Sequence, residues 1–310
     1  MNALKGRSIS EANDEAMQEI EDRKTGVKSK GLKIGFPMLE EAIGGGLQSE
    51  FAYLFAALSG HGKSTVLNIL ETKVIEENPD EDVMVLNFNF ETPSKMNLIK
   101  KYSADMNEDL NTLMSVQEDL SDEKLQAVKL KAKKYKDYPI YYFDVTGTPG
   151  DIAETVNQAR IKHPNRYIVC LLDHTGLLTP SSGQQSDIQL ADEFAKMIIT
   201  TKKQAKCTWF VLGQLNSEIE SMERLNNPAF HAPKKKDLYG SKLTWNAMDV
   251  VIMGNKPDKL DLTSYTTRKY EVKDRMYFHV RKQRYGEEPT IVIDSSRLGQ
   301  NILTEVGIIR

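Results

Sequence analysis

The segment FAYLFAALSGHGKSTVLNIL, residues 51–70, constrains the fold of this chain more than any other stretch. Phe51 to Leu58 is an unbroken apolar run of a length suited to a strand buried on both faces. Ser59-Gly60-His61-Gly62-Lys63-Ser64-Thr65 follows, and Val66, Leu67, Leu70 and Val74 then recur at helical spacing. Strand, glycine-containing loop and helix N-terminus in that order form a phosphate cradle. Backbone N–H groups and the positive helix end attract an anion, and Lys63 adds a mobile point charge. The Ser64 hydroxyl is then placed to meet a Mg2+ ion bridging the β- and γ-phosphates of ATP or another NTP. The fit to G-x-x-x-x-G-K-[ST] is irregular at its first position, where Ala57 stands. A bare GKS in a surface turn carries no such meaning; its place between an apolar strand and a helix selects nucleotide binding.

At 310 residues, 40% hydrophobic and 27% charged, the chain has the composition of an ordinary globular protein with room for a large core. No apolar run approaches the roughly 18 residues of a membrane span, and MNALKGRSIS lacks a signal-peptide core. The expectation is a cytoplasmic protein without a membrane partner. Cys170 and Cys207 lie in apolar runs and read as buried thiols of a reducing compartment, with no spacing for a zinc ribbon. A net charge of −3 argues against a general nucleic-acid coat, so any such contact has to come from local basic loops.

Residues 1–30 read as an N-terminal arm. Ser10 can cap a polar helix from Glu11 to Arg23 whose apolar residues are only Ala12, Ala16, Met17 and Ile20. Such an arm either frays or docks on a neighbouring subunit. From Phe36 the pattern alternates strand and helix, so residues 31–310 are expected to form one domain. Strands are expected at Val83–Phe90, Ile140–Val145, Tyr167–Asp173, Thr208–Gln214 and Asp249–Met253, and a terminal hairpin at Met276–Arg284 and Thr290–Asp294 about Tyr285-Gly286. Helices are expected near 38–43, 94–102, 108–116, 121–135, 149–162 and 186–205, and a long polar loop from Asn216 to Tyr239. The lysines of 124–136 read as a solvated face. The fold class is α/β, with a mostly parallel central sheet flanked by helices.

In open sheets of this class, partners of a phosphate cradle lie at the carboxyl ends of strands. Asp173 closes YIVCLLD, where a carboxylate can hold Mg2+ through water. Glu91 follows VMVLNFNF and can polarise an attacking water, while Gln214 closes TWFVLGQ and can sense the γ-phosphate. Asp144 is a competing strand-end carboxylate. Each alone is also what ordinary strand ends carry; the combination with a P-loop is what has meaning.

The order ALSGHGKS (57–64), FETP (90–93), Leu172-Asp173, GQLN (213–216) and KQRYG (282–286) resembles the RecA-type motor domain of DnaB-type replicative helicases, over roughly Thr25 to Asp294. The KQR on a late strand is the most telling piece, since it has no general structural reason, and the family commonly has alanine where Ala57 stands. The resemblance implies that Ser59 to Thr65 bind the nucleotide, with Lys63 and Ser64 on phosphate and Mg2+. It implies that Glu91 is the catalytic base, Asp173 the Walker B carboxylate and Gln214 the coupler of γ-phosphate to DNA. Arg284, with Lys282 beside it, is then a finger inserted into the neighbouring subunit's site.

The same resemblance implies a homo-hexamer threading single-stranded DNA past the segments Thr179–Asp187 and Ser217–Ser241. The second carries Lys234, Lys235 and Lys236, followed closely by Gly240, Ser241 and Lys242, which suit sequence-independent phosphate contact. A merely solvated loop is the other reading, and Tyr239 and Gly240 depart from the arginine and acidic residue common in the family. No primase-recruiting helical domain or fused primase is expected from this sequence, which suits a phage or other mobile element; primase, a helicase loader or replisome proteins are the partners implied. The expected function is an NTP-driven helicase or translocase. A RecA-like recombinase or mediator, and a nucleotide-binding accessory subunit that does not translocate, are the alternatives.

Overall fold

The computed structural model describes residues 6–26, 31–115, 120–173, 175–183, 185–240, 242–284 and 286–310. Helix α1 (Ile9–Thr25) precedes α2 (Pro37–Ala42), β1 (Ala52–Ala57) and α3 (Lys63–Glu76). Then come β2 (Val83–Asn89), α4 (Ser94–Met106), α5 (Leu110–Met114), α6 (Asp122–Tyr135), β3 (Ile140–Phe143) and α7 (Pro149–Lys162). The chain continues through β4 (Tyr167–Asp173), α8 (Asp187–Gln204), β5 (Thr208–Gln214), α9 (Met222–Leu225), α10 (Lys242–Ala247) and β6 (Val250–Asn255). It closes with β7 (Arg275–Gln283), β8 (Thr290–Asp294) and β9 (Thr304–Ile309).

The strands form one sheet in the order β3-β2-β4-β5-β1-β6-β7-β8-β9. The first six in that order pair in parallel, and β7, β8 and β9 continue the sheet antiparallel. Central strands of a parallel sheet need apolar residues on both faces, and β1 supplies them. Ala52, Leu54 and Ala56 face a layer containing Ile152 and Val156 of α7 and Phe194 and Ile198 of α8. Tyr53, Phe55 and Ala57 face the layer of Leu39, Val66, Leu70 and Val74 from α2 and α3. Because every parallel strand runs the same way, their carboxyl ends share one rim and their amino ends the opposite rim.

Several local expectations change. The cap of α1 is Ser8, not Ser10: its hydroxyl accepts from the Glu11 N–H, and the Glu11 carboxylate accepts in return from the Ser8 N–H. The C-terminal hairpin gains a third strand, β9, whose residues alternate exposed and half-buried. The polar stretch 216–239 is folded rather than loose. It contains α9 and short 3-10 turns, and a buried ion pair between Arg224 and Asp237 holds it together. Tyr285 of the hairpin turn and Val116 of the expected 108–116 helix lie outside the described residues. Cys170 and Cys207 are both buried as free thiols.

Candidate active site

The carboxyl rim gathers the expected residues from adjacent strands. β1 ends at Ala57, which pairs with Gln214 of β5; β4 ends at Asp173, which pairs with Asn89 of β2, two residues before Glu91. Between Leu58 and Lys63 the chain turns through Gly60 at φ 74° and Gly62 at φ 78°, the latter capping α3. These left-handed conformations cost a side chain strain and cost glycine none. Together they turn successive N–H groups toward the helix end, where the α3 dipole favours an anion.

Lys63 opens α3, and its ammonium donates to the carbonyls of Ala57 (3.2 Å) and Leu58 (3.0 Å). Burial lowers its pKa, opposed by the charges of Asp173 and Glu91. The Ser64 hydroxyl donates to Asp173 Oδ2 at 3.1 Å, so hydroxyl and carboxylate already face each other. Asp173 is buried, whereas Glu91 and Gln214 are exposed at the rim. Asp144 is otherwise engaged, accepting from the backbone N–H and hydroxyl of Ser94 at the start of α4.

His61 behaves differently from a residue waiting for phosphate. It is 3% exposed, and its Nδ1 accepts from the Lys256 backbone N–H at 3.0 Å, which leaves the ring proton on Nε2. Burial, reinforced by the charges of Lys63 and Lys256, lowers its pKa to about 4, so the ring is neutral. The loop is thus pinned to the end of β6. Its other flank meets the start of β7, where a Cβ at Gly62 would lie 3.6 Å from Met276 Sδ.

Lys100 of α4 joins the same electrostatic field. Its pKa is lowered chiefly by burial, while Asp173 and Glu91 pull it back up and Lys101 pushes it further down. Nothing in the Lys100-Lys101 pair distinguishes it by sequence from any solvated helical lysines. Behind it, Lys101 is buried against Glu71 of α3, with Asn68 and Asn87 completing the cluster.

Arg284 and Lys282 sit at the opposite rim. Gln283 pairs with Val250, at the amino end of β6. The Lys282 ammonium is not free beside Arg284 but donates to the carbonyls of Trp245 (2.8 Å), Asn246 (3.3 Å) and Met248 (2.6 Å), closing the carboxyl end of α10. Arg284 Nε contacts Asp249 Oδ1 at 2.8 Å.

The basic segment lies beyond β5. Lys234, Lys235 and Lys236 are exposed, with the Lys234 ammonium 4.9 Å from the Phe230 ring centroid and that of Lys235 5.2 Å from Trp245. The Tyr239 N–H donates to the Gln214 carbonyl, and Arg281 of β7 donates to the Pro233 carbonyl, so the segment is fastened to both β5 and β7. Gly240 and Lys242 are exposed and Ser241 lies outside the described residues. No helix among the described residues is long and apolar enough to cross a membrane.

With this geometry the comparisons agree. Residues 31–297 match the DnaB-like helicase C-terminal domain. In structure the chain is similar to a separately solved ATPase domain, with a TM-score of 0.83 at 18% identity over 98% of this chain and 100% of that one. A DnaB-like replicative helicase, solved with its interactions with primase, gives 0.75 at 18% identity over 93% of this chain and 65% of that one. The KaiC-like protein PH0186 from the hyperthermophilic archaeon Pyrococcus horikoshii OT3 gives 0.55 at 12% identity, over 90% of this chain and 100% of that chain. No curated protein matches the chain in sequence. The P-loop at one rim, the KQR strand at the other and the family match over most of the length lead to one statement: the chain belongs to the DnaB-like helicase C-terminal domain family and is an ATP-dependent DNA helicase motor of RecA-like fold.

Proposed function

We propose that this motor works as a homo-hexameric ring on single-stranded DNA, with each hydrolytic site divided between two subunits. The observation that carries this reading is the separation of Lys63 from Arg284. Lys63 is bound to the carbonyl of Ala57, the last residue of β1; Arg284 is bound through Asp249 to the N–H of Ala52, the first. Five steps of strand separate them, about 17 Å, well beyond the reach of one arginine side chain. Arg284 therefore serves a phosphate outside its own chain, and a closed ring supplies one to every subunit.

Within a site, Lys63 and the N–H groups from Ser59 to Thr65 hold the phosphates, Glu91 orients and deprotonates the attacking water, and Gln214 reports the γ-phosphate to the segment that follows β5. Ser64 and Asp173 offer oxygen donors side by side, and among the described residues no cluster of three His, Cys, Asp or Glu could hold a metal alone. That donor set suits Mg2+, which takes one or two protein oxygens and completes its shell with phosphate and water. When bound, Mg2+ supplies charge neutralisation between β- and γ-phosphates. Arg284 of the adjacent subunit adds the charge that stabilises the transferring phosphoryl group, and Lys282 holds the finger's strand. The exposed Lys234, Lys235 and Lys236, with Gly240, Ser241 and Lys242, face the DNA backbone.

Residues 1–30 act as an arm and 31–310 as the motor. No residue of α1 is buried, and Met17 and Ile20 face solvent, which supports docking on the next subunit. Primase, a loader or other replisome proteins are the partners to test, in the cytoplasm of the cell that expresses the chain. The decisive experiment mixes Lys63→Ala with Arg284→Ala subunits and measures ATPase with single-stranded DNA. Each variant alone should be inactive, and the mixture should regain activity where an intact P-loop meets an intact finger. A mixture as inactive as its components would sink the divided site.

A further inference from the structure

On the reading that Arg284 serves the neighbouring subunit, we propose that Asp249 is the positioning residue for this finger, holding its Nε so that the two terminal nitrogens face outward. Asp249 is 4% exposed and stands between α10 and β6. Its Oδ2 accepts from the Ala52 N–H at 2.8 Å and pairs with the Lys202 ammonium of α8. Those two contacts fix the carboxylate to β1 and α8, and Oδ1 then accepts from Arg284 Nε at 2.8 Å.

Two features separate this contact from an ordinary ion pair. Asp249 takes the guanidinium at Nε and leaves the Nη1 and Nη2 fork, the part that matches phosphate oxygens, unused by it. Moreover, Lys202 and Arg284 share one carboxylate, so two positive charges meet one negative charge. The surplus lies on Arg284, whose side chain is 49% exposed, whereas that of Lys202 is 6% exposed. A half-exposed arginine with surplus charge attracts an anion at the subunit surface. Lys282, bound to the carbonyls of Trp245, Asn246 and Met248, holds the backbone on both sides of this contact in register. A long, flexible side chain held before its phosphate arrives loses less freedom when it engages in the transition state.

The test uses Asp249→Asn, which keeps an acceptor for the Ala52 N–H. Its kcat for DNA-stimulated ATP hydrolysis should fall about 10–30-fold, the cost of freeing one arginine side chain, with nucleotide affinity unchanged. Asp249→Asn added to Arg284→Ala should cause no further loss, since one acts through the other. Lys202→Met, which disturbs the same buried cluster but spares the Asp249–Arg284 contact, should lower thermal stability and keep kcat. An equal fall in kcat for Lys202→Met would reduce Asp249 to a structural role and overturn the proposal.

Subunit mixing distinguishes the two layers of inference. Asp249→Asn should be rescued by Lys63→Ala subunits, as Arg284→Ala is. Rescue of Arg284→Ala without rescue of Asp249→Asn overturns the role of Asp249 alone; rescue of neither overturns the divided site. Should Asp249→Asn not fold, Arg284→Lys carries the test, because lysine keeps the charge and lacks the Nε–H. A kcat within twofold of wild type for Arg284→Lys overturns the proposal.

Discussion

Replacing Lys101 with methionine should destabilise the protein far more than the loss of an exposed helical lysine would. Lys101 is 3% exposed and Glu71 0%, and they are paired between α4 and α3. The Lys101 ammonium also donates to Asn68 Oδ1 at 3.1 Å, and Asn87 Nδ2 donates to Glu71 Oε1 at 2.9 Å. Lys101→Met leaves the Glu71 carboxylate buried with its cation gone, a loss of about 3–5 kcal/mol. For 310 residues the unfolding entropy is about 0.65 kcal/mol/K, so the melting temperature should fall by about 5–8 °C. Glu71→Gln alone strands the ammonium and should cost a similar amount. The double variant Glu71→Gln/Lys101→Met removes both charges and should recover to within about 1–2 kcal/mol of wild type. Thermal unfolding of the four proteins at one concentration yields the coupling energy directly. If the double variant melts at the sum of the two single losses, the pair is not coupled and the reasoning fails. Because the pair joins the P-loop helix to the helix after Glu91, Lys101→Met should also slow hydrolysis more than it weakens nucleotide binding.

Three further outcomes follow from the site. His61 has its pKa lowered to about 4 by burial and neighbouring cations, against about 6.5 in an unfolded chain, so the unfolded state binds more protons between those values. Stability should therefore fall as pH drops from about 6.5 toward 4, by about 3 kcal/mol from this residue; His279, also depressed by burial, adds in the same direction, and His61→Gln should make the melting profile shallower without flattening it. Gly62→Ala forces a side chain to φ 78° with its Cβ 3.3 Å from Leu298 Cδ1; about 1–2 kcal/mol should be lost, and nucleotide affinity, followed by fluorescent-nucleotide titration, should fall with it. Replacing Lys234, Lys235 and Lys236 together by alanine should lower the slope of log K for single-stranded DNA against log salt by about 2, at roughly 0.7 per phosphate contact. An unchanged slope would mean that these lysines are only solvated.

The strands of the parallel sheet and the rim residues could be read from the chain because their causes are local. A strand buried on both faces must be apolar throughout, as Val83–Asn89 and Tyr167–Asp173 are, and a phosphate cradle needs glycine at the positions of positive φ. β9 escaped because TEVGII lies half exposed at the sheet edge, where no continuous apolar signal is required. Its Glu305 nevertheless caps α2 by accepting from the N–H groups of Met38 and Leu39, a contact 266 residues or more apart in sequence. Distance along the chain hid the rest as well. Arg224–Asp237 turns an apparently polar loop into a folded one, and Glu71–Lys101 buries a lysine in a helix rich in polar residues. No periodicity announces such pairs, because each charge becomes compatible with burial only through its partner.

β7 touches both halves of the chemistry. Near its start Met276 lies against Gly62, and just past its end Arg284 projects from the opposite rim; between them the strand has 9 residues. An extended strand of that size measures about 30 Å and resists compression along its axis. It acts as a ruler, setting the interval from one bound phosphate to the next. In a closed six-membered ring the circumradius equals the side, so the sites would stand about 30 Å from the central axis, a dimension set by strand length. Inserting two residues into β7 would preserve its alternation and lengthen the interval by about 7 Å, changing the circumference of the ring rather than the chemistry at any one site.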